Sequence, residues 1–200
     1  MPRNDRLRHL DLVEEDVLGL RVLRPREAEA LISEEAFAQN EFLPYWAELW
    51  PSAIELAEAL PEVAGLRLVE LGCGLGLPSL VAARAGAFVL ATDWSEEAVA
   101  LLRANAERNG IELETELVDW RQPEPLVERA PFDLVLAADV LYERRYVELL
   151  LELLPRLGDE VLLADPGRPF TKAFMERAAE KWDVATERGR VLRLRLRRTA

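Results

Sequence analysis

The chain has 200 residues, half of them hydrophobic, with 12 prolines and 10 glycines scattered as punctuation; this supports one sizeable core and excludes a disordered or low-complexity chain. A net charge of −12 makes nucleic acid a poor partner, and a single cysteine (Cys73) with a single histidine (His9) excludes an internal disulfide and a His-rich metal centre. No apolar run reaches the ~18 residues of a membrane span, and Met1–Arg8 lacks a signal peptide's apolar stretch, so a cytoplasmic protein without membrane contact is expected.

Residues 1–60 read as an N-terminal extension covering the ligand-binding edge of the domain that follows. In it, Leu18–Leu23 reads as a strand and Arg26–Ala38, entered through Pro25, as a helix. An aromatic and proline-rich segment runs from Phe42 to Pro51, and Ser52–Leu60 is a second helix. Residues 61–200 alternate strand and helix. Leu66–Leu71 is a buried strand leading through Gly72–Gly76 into a helix that stops before Gly86, and Ala87–Thr92 is the next strand. Ser95 caps a helix with Glu96 and Glu97 in its first turn, closed at Asn109–Gly110. Leu113–Val118 and Phe132–Ala138 are strands, the latter followed by a helix through Tyr146 and Leu150 to Pro155. Glu160–Ala164 is a fifth strand, Thr171–Lys181 a helix, and Trp182–Arg188 with Val191–Arg198 a closing pair around Gly189. Such alternation predicts an α/β fold: a seven-stranded, mostly parallel sheet, helices on both faces, and a C-terminal antiparallel hairpin at one edge.

Glu70-Leu71-Gly72-Cys73-Gly74-Leu75-Gly76 follows the first strand of that sheet and opens a helix. Glycines there let backbone amides approach a ligand beyond the carboxyl ends of the strands. Asp93 ends the next strand, 17 residues after Gly76, where a carboxylate can accept both hydroxyls of a ribose. The spacing is G-x-G-x-G, with Leu77 where a dinucleotide site carries its third glycine, and no phosphate-cradling G-x-x-x-x-G-K-[ST] is present. A nicotinamide or flavin site is therefore disfavoured.

These residues resemble the class I, seven-strand S-adenosylmethionine-dependent methyltransferases, whose fold is Rossmann-like, over about residues 40–200. Tyr45–Pro51, Asp119-Trp120, Asp139-Val140-Leu141-Tyr142 and Asp165-Pro166-Gly167-Arg168 resemble the protein-lysine branch of that class, labelled nicotinamide N-methyltransferase-like. That branch includes the electron-transfer-flavoprotein β-subunit lysine methyltransferases. The resemblance implies S-adenosylmethionine as cofactor, S-adenosylhomocysteine as product and a protein substrate.

It also implies roles. Glu70 reaches the methionine end, and Gly72, Cys73, Gly74 and Gly76 form the cofactor-binding loop; Asp93 binds the ribose; Trp94, Asp119 and Trp120 flank the adenine; Trp50 is assigned to the cofactor side, and with Trp46 it can wall the acceptor channel. Asp139 and Tyr142 belong to the motif that holds the acceptor nitrogen, with Asp139 as orienter of a neutral amine. Val140-Leu141 replaces the two prolines of glutamine- and adenine-amino methyltransferases. Plainer readings stand beside these: Trp94 as partial core, Asp119 as a turn former, Asp165–Arg168 as a β-turn and Cys73 as a small loop residue. Two other functions remain open, a small-molecule N- or O-methyltransferase and a non-catalytic cofactor-binding module; oligomeric state is not legible.

Overall fold

The structure, a computed structural model, describes residues 7–28, 31 and 44–197. Its first elements are strands β1 (Leu12–Val17) and β2 (Leu20–Pro25), which pair antiparallel as a separate two-stranded sheet. The sequence reading merged the turn into one strand, Leu18–Leu23, and missed β1. Leu18 and Gly19 both adopt positive φ (53° and 71°), as a two-residue hairpin turn requires, but Leu-Gly lacks the Asn or Asp that normally marks such a turn. Arg84 donates to the Gly19 and Leu18 carbonyls at 3.2 and 3.0 Å, which holds this unfavourable leucine in place. The helix expected over Arg26–Ala38 lies mostly outside the described residues.

Next come α1 (Pro51–Glu58), β3 (Arg67–Leu71), α2 (Leu77–Arg84), β4 (Phe88–Asp93), α3 (Glu96–Asn109), β5 (Glu114–Leu117) and α4 (Glu124–Val127). The chain continues through β6 (Leu134–Ala138), α5 (Arg144–Leu157), β7 (Glu160–Ala164), α6 (Pro169–Ala178), β8 (Trp182–Arg188) and β9 (Val191–Leu196). The large sheet has the order β5-β4-β3-β6-β7-β9-β8; β5 to β7 run parallel, and β9 joins β7 and β8 antiparallel. The chain adds strands outward in one direction from β3 to β5 and in the other from β6 onward, so a crevice opens between β3 and β6 at the carboxyl ends.

Local chemistry accounts for these elements. Ser95 Oγ accepts the Ala98 N–H at 3.2 Å at the start of α3, and Gly110 ends that helix with φ 64°. Central strands β3, β6 and β7 are nearly continuous apolar runs because helices cover both faces. Pro155 does not end its helix as expected. It lies in the last turn of α5, and Leu157 beyond it falls on the same buried face as Leu150, Leu153 and Leu154. Burying a leucine contributes about 1.5–3 kcal/mol, comparable with the ~3 kcal/mol a helix-interior proline costs. The short α4, with Pro123 at its N-cap and Pro125 in its first turn, was also missed.

The β1–β2 hairpin packs on α3, where two side chains imitate a strand. Asn105 Oδ1 accepts the Leu23 N–H (2.7 Å) while its Nδ2 donates to the Leu23 carbonyl (3.1 Å). Asn109 repeats the arrangement on Arg21 at 2.9 and 2.8 Å. Of the extension assigned to residues 1–60, the described hairpin therefore lies on the helical flank, and Tyr45–Ala53 supplies the residues that reach the crevice. Among the described residues no helix is long and apolar enough to cross a membrane.

Candidate active site

A cavity of about 670 Å³ occupies the crevice beyond β3, β4 and β6. That lies within the ~300–1,000 Å³ typical of small-molecule and cofactor sites. Its wall includes every residue singled out above as cofactor-binding or catalytic: Glu70, Gly72, Cys73, Gly74, Gly76, Asp93, Trp94, Asp119, Trp120, Trp50, Asp139 and Tyr142.

The floor is the loop between β3 and α2. Gly76 has φ 75°, and a Cβ there would lie 2.2 Å from Leu102 Cδ1, so the third glycine of G-x-G-x-G serves the packing of α3. A Cβ on Gly74 (φ 51°) would meet the Trp46 carbonyl oxygen at 3.2 Å, so the segment 44–50 lies directly against the loop. Cys73 is buried, and burial pushes its thiol well up, which disfavours the nucleophilic thiolate.

Asp93 fixes this loop. Its Oδ2 accepts the Gly74 N–H and its Oδ1 the Ser95 N–H, both at 2.9 Å. Burial raises its pKa, and these backbone donors oppose the rise. The amides of Gly74, Ser95 and Trp94 all favour the ionised carboxylate, which stands at the cavity wall as an acceptor. Glu70 is buried at the end of β3, and its Oε2 accepts the Ser79 N–H at 2.9 Å and also the Ser79 hydroxyl, in the first turn of α2. Burial pushes this carboxyl up to about 8, against the lowering by Ser79. Glu70 thus anchors α2 as well as lining the cavity.

Asp119 sits at the rim, about a third exposed, and pairs with Arg121 at 2.7 Å; that partner lowers its pKa. Trp120 meets Tyr146 edge-on at 5.4 Å and lies beside Gly72, while Trp94 stands 44% exposed at the mouth.

The opposite end of the cavity is aromatic. Tyr142 lies between Tyr45 and Tyr146, with ring centroids 4.9 Å from each, and its hydroxyl donates to Tyr146 at 3.3 Å. Burial foremost, and then that hydrogen bond, push the Tyr142 phenol well above its ordinary value, so it does not act as a base at neutral pH. Trp50 donates its indole N–H to the Tyr45 carbonyl at 2.7 Å. Asp139 follows β6 with φ 59°, held by its N–H on the Ala164 carbonyl at 2.8 Å, and its Oδ1 accepts from Arg168 Nε at 2.5 Å. Arg168 also lies over the Trp50 ring, 5.4 Å from its centroid. Sequence reasoning placed Asp165–Arg168 near this edge but missed the Arg168–Asp139 pair, which no local spacing announces. Tyr146 was missed as well; its position four residues after Tyr142 was the available signal.

A glycine loop after β3, a buried acid at the end of β4 and the flanking Trp94 and Trp120, on this strand order, have the arrangement of a class I methyltransferase. The residues expected to hold S-adenosylmethionine (Glu70, Gly72–Gly76, Asp93, Trp94, Asp119 and Trp120) all line this one cavity, and a buried acid beside a glycine loop suits such a ligand. A sequence profile of the Lysine methyltransferase family matches residues 45–177, and the chain belongs to that family. The electron transfer flavoprotein beta subunit lysine methyltransferase of Xenopus laevis is 32% identical, over 84% of this chain and 71% of that protein. The histone-arginine methyltransferase METTL23 of Xenopus laevis is 30% identical, over 70% of this chain and 61% of its own length. Among solved structures, the T. thermophilus 16S rRNA N2 G1207 methyltransferase (RsmC), in complex with AdoMet and guanosine, aligns with a TM-score of 0.64 and 21% identity, covering 93% of this chain and 50% of that one; this likeness shows the fold. The protein is a methyltransferase, and its cofactor is S-adenosylmethionine.

Proposed function

We propose that the protein methylates a lysine on the surface of another protein, in a basic region, with the electron transfer flavoprotein β subunit as the first candidate. The observation that carries this reading is the acceptor end: a carboxylate, Asp139, beside the rings of Tyr45, Trp50 and Tyr142 at the edge of an open cavity. The apolar rim supports docking of a macromolecule, since Tyr45, Trp94 and Leu117 are 38, 44 and 50% exposed at the mouth. The lysine relative named above points the same way.

When bound, the cofactor supplies a methyl group activated by its sulfonium. The chain's own part is alignment and desolvation of the acceptor. A lysine ammonium with pKa near ~10.4 must first release its proton to water. Asp139 orients the resulting amine. The aromatic rings of Tyr45 and Tyr142 then favour the positive charge that develops on nitrogen, a contact stronger in the transition state than with the neutral amine. The protein's net charge of −12 favours encounter with a basic surface, an advantage that salt screens.

The test is label transfer from S-adenosylmethionine into a hypomethylated cell lysate and, in parallel, into free small amines. Labelled protein bands whose intensity falls as salt rises support the proposal. Label confined to small amines favours a small-molecule methyltransferase, and cofactor binding with no transfer to anything favours an interaction module.

A further inference from the structure

The acceptor end carries an arginine whose place in the reaction is not explained by cofactor binding or by docking. Arg168 caps α6, and its loop is tied down by Asp165, whose Oδ1 accepts the Gly167 and Arg168 amides at 2.8 Å and the Thr171 hydroxyl. From that anchored backbone the guanidinium crosses to Asp139 and lies over Trp50, so it joins β6, α6 and segment 44–50. Asp139 is held as firmly, with its backbone tied to Ala164 and its side chain 5% exposed.

Methyl transfer to nitrogen needs a lone pair. A bare, buried carboxylate beside the acceptor would hold a lysine as ammonium, since a neighbouring opposite charge within ~4–6 Å shifts such equilibria by about 1–3 pH units. That would reduce the neutral fraction roughly tenfold to a thousandfold. A carboxylate already bonded to a guanidinium lacks that effect but keeps an oxygen with which to orient an N–H.

We propose that Arg168 is a positioning residue: by pairing with Asp139 over the Trp50 ring it cancels the carboxylate's charge, so that the acceptor end admits an amine in its neutral, nucleophilic form. This rests on the reading of this end as an amine-acceptor site. Neighbouring charges from α5 and its approach are paired among themselves, Glu143 with Arg145 at 2.8 Å, and Tyr142 donates to Tyr146. Tyr45 and Glu48 from segment 44–50, with Glu70 and Asp93 on the floor, complete the ionisable groups of this part of the wall. All are common to wild type and variant, so a comparison between the two isolates Arg168.

The experiment measures binding of n-butylamine and of tetramethylammonium, a fixed cation, to the S-adenosylhomocysteine complex between pH 7 and 10. The Trp50 indole resonance, assigned with Trp50→Phe, is the readout. In wild type, affinity for n-butylamine should rise about tenfold per pH unit, as selection of the neutral form requires, and tetramethylammonium should bind weakly throughout. Arg168→Met should flatten that dependence and tighten tetramethylammonium binding by roughly tenfold or more. Arg168→Lys, which keeps the charge, should restore the slope, as should the neutral pair Asp139→Asn/Arg168→Met. S-adenosylhomocysteine affinity within a few-fold of wild type certifies the fold; where Arg168→Met fails that check, the other two variants carry the test. A flat wild-type profile, no amine binding at any pH, a wild-type slope in Arg168→Met, or a flat slope in both the other variants would overturn the proposal. No methyl transfer or protein acceptor is involved, so failure here is separable from failure of the lysine reading.

Discussion

Replacing Gly76 by alanine sets a conformational and a packing penalty at the same atom. The residue adopts φ 75°, and the added Cβ would lie 2.2, 2.8 and 2.9 Å from Leu102 Cδ1, Cδ2 and Cγ. Leu102 is fully buried between the glycine loop and the core on that side of the sheet, so it has no free volume into which to retreat. The left-handed conformation costs an L-residue about 1–2 kcal/mol, and overpacking of a filled core about 1–3 kcal/mol. Together they give roughly 2–5 kcal/mol, a large share of the ~5–15 kcal/mol that stabilises a typical domain. Gly110→Ala is the internal control: its φ is 64°, but nothing lies within 4 Å of the added Cβ, so only the conformational part applies. Urea unfolding followed by circular dichroism should rank wild type above Gly110→Ala and that above Gly76→Ala. If the two variants unfold within ~0.5 kcal/mol of each other, the close approach of α3 to this loop is wrong.

The other predictions concern the ionisable groups and the acceptor end. Glu70 passes from 4.5 to about 8 on folding, so between those values the folded state keeps a proton that the unfolded state has lost. The stability linked to this group is present below pH 4.5 and lost as pH rises to about 8, on the order of 3–5 kcal/mol at most. Glu70→Gln should flatten the pH dependence of unfolding over that window, and an unchanged slope would contradict the burial argument. Tyr142→Phe should keep the pH profile of methyl transfer and most of the rate, because the phenol stays protonated and its hydroxyl is engaged by Tyr146; loss of an alkaline limb would instead make Tyr142 a base. Asp139→Asn should bind S-adenosylhomocysteine within a few-fold of wild type while transfer drops by ~100-fold or more, and wild-type turnover would remove Asp139 from the mechanism.

Parallel order, helix caps and the glycine loop were legible because each rests on short-range chemistry. Ser95 before Glu96 and Glu97, apolar runs ending in glycine, and acids at the ends of β4 and β6 all sit where propensity and burial agree. The hairpin Leu12–Pro25 was not, since its acidic first strand and Leu-Gly turn contradict local preference and are held by Arg84 and by the asparagines of α3, more than 60 residues away. The site divides in the same way. Asp93 and Asp139 could be found from their strand ends, but the Asp139–Arg168–Trp50 assembly joins three segments far apart in sequence and exists only after folding. Glu70 illustrates a mixed case: its place in the motif was visible, its bond to Ser79 in the first turn of α2 was not.

The central claim is that this cavity delivers a methyl group to the ε-nitrogen of a protein lysine. Tandem mass spectrometry of recombinant, unmethylated electron transfer flavoprotein β subunit, and of the labelled lysate proteins, after incubation with S-adenosylmethionine and this protein tests it most directly. The account predicts methyl groups on lysine side chains in basic surface regions, formed far more slowly when Asp93→Ala or Asp139→Asn replaces wild type. Methyl groups found only on free small amines, or on protein residues other than lysine, would contradict it.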